Sequence, residues 1–225
     1  MSQIAPSNNQ SNKRGLAITL ASTLGIIAVV VSLFVYTMTQ PRIMGVKDLV
    51  ANGAITYEEP KQLRPFTLID QNGRDFTQEN FKGKWTVLFF GFSHCGGFCP
   101  TTLAMLKEFH QQLKPDITDQ TQIVMVSVDP KRDTPERLKE YMQAFNPEFI
   151  GLTGLEGFIQ LLSNQLFIAY ERNTEESPDK NYQVPHGEQL VLINPNGDYH
   201  GFFKPPFSLG RLKTTYQSIV LQYQP

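Results

Sequence analysis

The run Phe92-Ser93-His94-Cys95-Gly96-Gly97-Phe98-Cys99-Pro100 holds the only two cysteines of the chain. Two thiols this close can close a disulfide, exchange electrons with another disulfide, or bind a soft metal. A disulfide closing so short a loop gains roughly 2 kcal/mol in the chain-entropy model. A chain of 225 residues has enough core not to need that staple. The motif is expected at the carboxyl end of a buried strand and the start of a helix, the edge where open α/β sheets place their sites. Unpaired N–H groups and the positive end of the helix dipole there favour thiolate over thiol. Thiolate is both the nucleophile and the metal ligand. The spacing is Cys-x3-Cys, one residue more than the common dithiol redox motif. With two glycines inside, the loop is wide and soft, which suits convergence on one ion at least as well as a fast redox couple.

Soft thiolates select Cu(I) or Zn(II) over hard cations. With only two cysteines, a third ligand would come from one of the four histidines. His94 adjoins Cys95 and either modulates that thiol or ends the strand. His110 continues an apolar helical face and reads as a core or boundary residue. His200 falls in a hairpin and reads as exposed. His186 lies in the loop Val184-Pro185-His186-Gly187-Glu188, just before a buried strand. Spacing alone does not choose among them.

The elements that must position the thiols are legible around them. Residues 85–92 and 123–128 are nearly continuous apolar runs, as parallel strands covered on both faces require. Between them Leu103, Leu106, Phe109 or His110, and Leu113 recur at helical spacing, with Pro100 as the first helical residue. The stretch 85–128 is therefore a β-α-β unit with a right-handed crossover. A small hairpin is predicted around Gln71-Asn72-Gly73. Thr134 caps a second helix that begins at Pro135, and residues 155–167 form a third. A hairpin follows around Asn194-Pro195-Asn196-Gly197, and Ser208 caps a closing helix. This order predicts an α/β, thioredoxin-like fold with a central mixed sheet flanked by helices, preceded by one N-terminal transmembrane helix.

That last element is read from residues 16–38, which carry no charge. As a helix they extend about 34 Å, enough to cross a bilayer core of about 30 Å. Lys13 and Arg14 precede them and, by the positive-inside tendency, hold the N-terminus in the cytoplasm. A cleaved signal peptide fits less well, because its apolar stretch would be about 7–15 residues and end at small residues, whereas here Tyr36-Thr37-Met38-Thr39-Gln40 follows. The expected organisation is a cytoplasmic segment at 1–15, an anchor at 16–38, a linker at 39–62 and the folded domain at 63–225. The simplest placement is a single pass through a bacterial inner membrane with the domain in the periplasm. A net charge of −1 offers no argument for nucleic acid.

Three motifs together carry a family resemblance. The run Phe90-Gly91-Phe92-Ser93-His94-Cys95 … Cys99-Pro100-Thr101-Thr102-Leu103 resembles the signature of the Sco/SenC family. Residues 126–135, Val-Ser-Val-Asp-Pro-Lys-Arg-Asp-Thr-Pro, are similar to its second motif. Tyr182 to His186 followed by Leu190 to Gly197 is similar to its third. The resemblance spans 63–225 and includes the single anchor. It implies a copper site made by Cys95, Cys99 and His186, with Cys95 and Cys99 also a redox-active pair. It further implies a role in maturing the copper centre of cytochrome c oxidase, by copper delivery to the copper-bearing subunit, by reduction of the oxidase cysteines, or both. Such a protein is a metallochaperone first. The alternative is a periplasmic thiol–disulfide oxidoreductase without an essential copper role, served by a thioredoxin-like reductant. Asp129 matches an acidic residue of the second motif, read either as tuning the site or as ordering the Asp-Pro turn. Two positions depart from the family: Gly96-Gly97 replace Pro-Asp, and Pro185 replaces Asp. A peroxidase of the peroxiredoxin kind would need Pro seven and Thr three residues before its cysteine. Cys95 has Leu88 and Phe92 there, and Cys99 has Phe92 and Gly96.

Overall fold

The computed structural model describes residues 10–39, 43–171 and 182–224. The first nine residues of the expected cytoplasmic segment and linker residues 40–42 lie outside them. The chain divides into two units, the second beginning at Ile43.

In the first unit, α1 is a helix over Gln10–Thr39. Its stretch Arg14–Met38 is long and apolar enough to cross a membrane. Hydroxyls do not interrupt it, because Thr19, Ser22 and Thr23 each donate to the carbonyl four residues back.

The second unit is an eight-stranded mixed sheet in the order β1-β8-β7-β4-β5-β6-β2-β3. At its centre lies β4 (Trp85–Gly91), every residue of which is buried. It runs parallel to β5 (Thr121–Ser127), which runs parallel to β6 (Ile150–Thr153). The other side of β4 pairs antiparallel with β7 (Leu190–Ile193), which turns back into β8 (Tyr199–Phe203). The hairpin of β2 (Thr67–Asp70) and β3 (Asp75–Thr77) adds antiparallel to β6.

Because β4 side chains alternate, they feed two cores. Val87 and Phe89 face α3 (Phe98–Gln111), α5 (Pro135–Gln143) and α7 (Leu209–Gln222), meeting Leu103, Leu106, Leu138, Met142, Leu212 and Tyr216. Leu88 and Phe90 face the other way, toward Phe81 of a 3-10 turn and Ile159 and Leu162 of α6 (Glu156–Gln165). A short α4 (Pro115–Thr118) leads into β5. The expected caps hold at α5, where Thr134 accepts from Arg137 N, whereas Ser208 sits before α7 without a side-chain cap bond.

Two expectations change, and a further strand appears where none was read. The stretch 39–62, read as a linker with one short helix, has that helix as α2 (Val46–Ala51) but also holds β1 (Ala54–Lys61), which pairs antiparallel with β8. It is an edge strand with Glu58, Glu59 and Pro60 near its end, the polar content that edges use against aggregation and that hides them from a search for apolar alternation. Its close pairing needs Gly201, where a Cβ would run into the Ile55 carbonyl. β6 is four residues long and too short to give a periodic signal. Finally, α3 begins at Phe98, not Pro100. Pro100 is its third residue, still within the first turn where an N–H has no intrahelical partner, and Cys99 is thereby helical.

Candidate metal centre

The two cysteines sit where β4 leaves the sheet and α3 begins. The departure is fixed by Asp133, a fully buried carboxylate on the stretch between β5 and α5. It accepts from Ser93 N at 3.0 Å, from Ser93 Oγ at 2.6 Å and from Ser127 Oγ at 2.6 Å. Arg137 Nε donates to the same Ser93 Oγ at 3.1 Å. The end of β4 is thus tied to β5 and α5 immediately before the cysteine loop. A single aspartate before a capping threonine looks like an ordinary turn residue in sequence, and no spacing rule marks it as buried.

Cys95 is half-buried and packs against both cores, whereas Cys99 is fully buried. Both are free thiols. Cys99 N donates to Cys95 Sγ at 3.3 Å, so the first turn of α3 offers an amide to the sulfur as its position promises. Cys99 reaches inward because Gly91 leaves room: a Cβ there would stand 2.9 Å from Cys99 Sγ and 3.0 Å from the Phe89 ring. A glycine at the end of an otherwise bulky strand is the mark of such a close approach.

His186 arrives on the loop before β7. Its loop is bound back to the stretch after α6, with Gly187 N donating to Ala169 O at 2.8 Å and Glu171 N to Pro185 O at 2.9 Å. Val184 is buried in the second core. His186 Nδ1 lies 3.2 Å from Gly187 O. A carbonyl only accepts, so Nδ1 carries the proton and Nε2 the lone pair. Nε2 faces Cys99 Sγ at 3.8 Å. The imidazole is boxed edge-on to Phe92 at 6.0 Å and tilted against Phe98 at 6.0 Å between ring centroids. One donor atom from each of Cys95, Cys99 and His186 falls within 4.8 Å of the others.

The proton distribution follows from this packing. The hydrogen bond from Cys99, with further bonds from the backbone of the helix start, holds the Cys95 thiol far below its ordinary range against the effect of burial. The same pairing, together with desolvation, pushes Cys99 up. The pair therefore carries one thiolate, on the more exposed sulfur, and one buried thiol. Two sulfurs and an imidazole nitrogen, converging without a carboxylate among them, are a donor set for a soft ion.

The other histidines do not join. His94 is exposed, with Nδ1 at 3.0 Å from Ser93 Oγ. His110 is buried edge-on against Phe149. His200, expected to be exposed, is half-buried between Trp85 and Tyr223 near the start of β4, and desolvation lowers its pKa. Asp129 is buried and bonds Tyr182 and Arg132.

The family model described as SCO1/SenC matches residues 56–220. A SCO2-like protein of Rickettsia prowazekii is 36% identical over 198 residues, covering 86% of this chain and 91% of that protein. The copper-bound crystal structure of ScoI from Arabidopsis thaliana is 33% identical with a TM-score of 0.65, covering 71% of this chain and 98% of that one. Copper-bound yeast Sco1 is 28% identical with a TM-score of 0.69, covering 74% and 92%.

Proposed function

The chain belongs to the SCO1/SenC family, and from that premise we propose that it is a membrane-anchored copper-binding protein assisting assembly of the copper centre of cytochrome c oxidase. The observation that carries this reading is the convergence of Cys95, Cys99 and His186. Copper is the cargo. Cys95 and Cys99 would hold it as thiolates and His186 through Nε2, and the ion supplies the payload for a copper-bearing oxidase subunit. The relatives whose structures hold copper support that choice over zinc. The Gly96-Gly97 loop leaves the exposed side of Cys95 open: both glycines are exposed and a Cβ at either would meet nothing within 4 Å. An acceptor site can thus approach the cargo closely. α1 serves as the anchor and, by the charge of Lys13 and Arg14, leaves the folded unit in the periplasm.

Anaerobic Cu(I) competition titration of the reduced full-length chain in detergent tests this. It should bind about one copper per chain, and His186→Ala should bind about tenfold or more weakly. A reduced chain with no tight copper binding overturns the reading.

The unequal cysteines favour a second activity on the same pair. Cys95 as thiolate attacks a partner disulfide, forming a mixed disulfide and releasing one partner thiolate. Cys99 then gives up its proton and attacks the Cys95 sulfur, releasing the second partner sulfur. The partner gains two electrons and the proton of Cys99, takes its second proton from water, and the chain ends with a Cys95–Cys99 disulfide, to be reduced by a thioredoxin-like donor. Cys99→Ser should trap the mixed disulfide with a disulfide-bearing partner peptide, and Cys95→Ser should not. Equal trapping by both variants rules out this order.

A further inference from the structure

Cys95 lies on the loop that leaves β4 and His186 on the loop that enters its neighbour β7, and something must set the distance between them. The Arg132 guanidinium lies 3.5 Å from the centroid of the Tyr182 ring and 5.6 Å from that of Phe92. Phe92 directly follows the strand that delivers Cys95 and also meets the His186 ring edge-on. Tyr182 begins the loop that delivers His186, four residues on. Arg132 Nη2 further donates to the Tyr182 carbonyl at 2.9 Å. The Tyr182 hydroxyl donates to Asp129 Oδ1 at 2.7 Å, and Asp129 Oδ2 is paired with Arg132 Nε. One planar cation is therefore held by a ring from each loop, by a backbone carbonyl and by a buried carboxylate. A guanidinium suits this position because it stacks and donates in fixed directions at once, which an ammonium cannot do.

We propose that Tyr182 and Arg132 are positioning residues for His186, a clamp that sets the imidazole against the two sulfurs and so decides whether a soft ion is held by three donors or two. The inference rests on the copper reading for its binding consequence, but its geometric content does not. Neither residue touches the ion in this scheme. Both act through the loop that carries His186, as partners outside a ligand set commonly do, at about 10–100-fold in affinity.

The variants Tyr182→Phe, which keeps the ring, and Arg132→Lys, which keeps the charge, separate the clamp from bulk stability. In the reduced, metal-free full-length chain in detergent, nuclear Overhauser contacts between the His186 and Phe92 rings should be present in the parent and weakened in both variants. Cu(I) affinity should fall about tenfold in each. Added to His186→Ala, neither change should cost more than about twofold further, because non-additivity marks residues acting through one another. Unchanged ring contacts in both variants, or a full additional loss on the His186→Ala background, overturn the clamp. If the parent binds no copper, the copper reading fails while the ring contacts still decide the clamp.

Discussion

At the scale of residues, the site is an asymmetric pair of sulfurs with an imidazole beside it. Cys95 is reachable and holds its charge, whereas Cys99 is buried behind it. The hydrogen bond from Cys99 and the helix amide it carries stabilise the thiolate at Cys95, so lowering pH should leave it ionised long after ordinary thiols are protonated. A free cysteine of pKa about 8.5 keeps only about one thiolate in three hundred at pH 6. Iodoacetamide should therefore modify Cys95 at nearly the same rate at pH 6 as at pH 8, with Cys99 protected until the chain unfolds. Peptide mapping by mass spectrometry reads both sites. A rate falling roughly seventyfold between those pH values would show an ordinary thiol. The cysteines were legible in the sequence by type and position. His186 was not, because 87 residues separate it from Cys99 and each of four histidines had a local reading; only the family motif singled it out. Asp133 went unnoticed for a related reason: burial of a charge is a property of what packs around it.

At the scale of elements, the strand–loop–helix passage from β4 into α3 makes the site, and its tightest point is Gly91. An alanine there meets Cys99 Sγ, the Phe89 ring and Met125 Sδ at 2.9, 3.0 and 3.4 Å. Gly91→Ala should destabilise the chain by about 1–3 kcal/mol through overpacking and weaken copper binding, since the nearest neighbour is a ligand sulfur. Denaturant unfolding and Cu(I) titration check the two effects; an unchanged midpoint would mean that α3 shifts freely away from β4. The central elements were readable because β4 and β5 are covered on both faces, and full burial leaves an unbroken apolar run. The strands that escaped notice lie outside that centre. β1 is a charged edge, and β6 is too short for period-two alternation to register. The loop from 182 to 188 carries no periodicity, and its conformation comes from Tyr182, Val184 and the backbone bonds at Ala169 and Glu171.

At the scale of the whole molecule, among the described residues one helix fit to cross a membrane accompanies a thioredoxin-like unit that carries the thiols beyond the carboxyl end of its central strand. The full chain should stay in the membrane pellet after carbonate extraction, and protease added to spheroplasts should digest residues beyond α1. Release by carbonate would contradict the anchor, and protection of the folded unit would contradict the periplasmic orientation. The central claim is that two sulfurs and one imidazole share an ion. X-ray absorption at the copper edge of the Cu(I)-loaded full-length chain tests it most directly, beside His186→Ala loaded alike. The copper should be bound by sulfur from Cys95 and Cys99 and by nitrogen from an imidazole whose outer-ring scattering disappears in the variant. A sulfur-only shell, or imidazole scattering that survives His186→Ala, would contradict it.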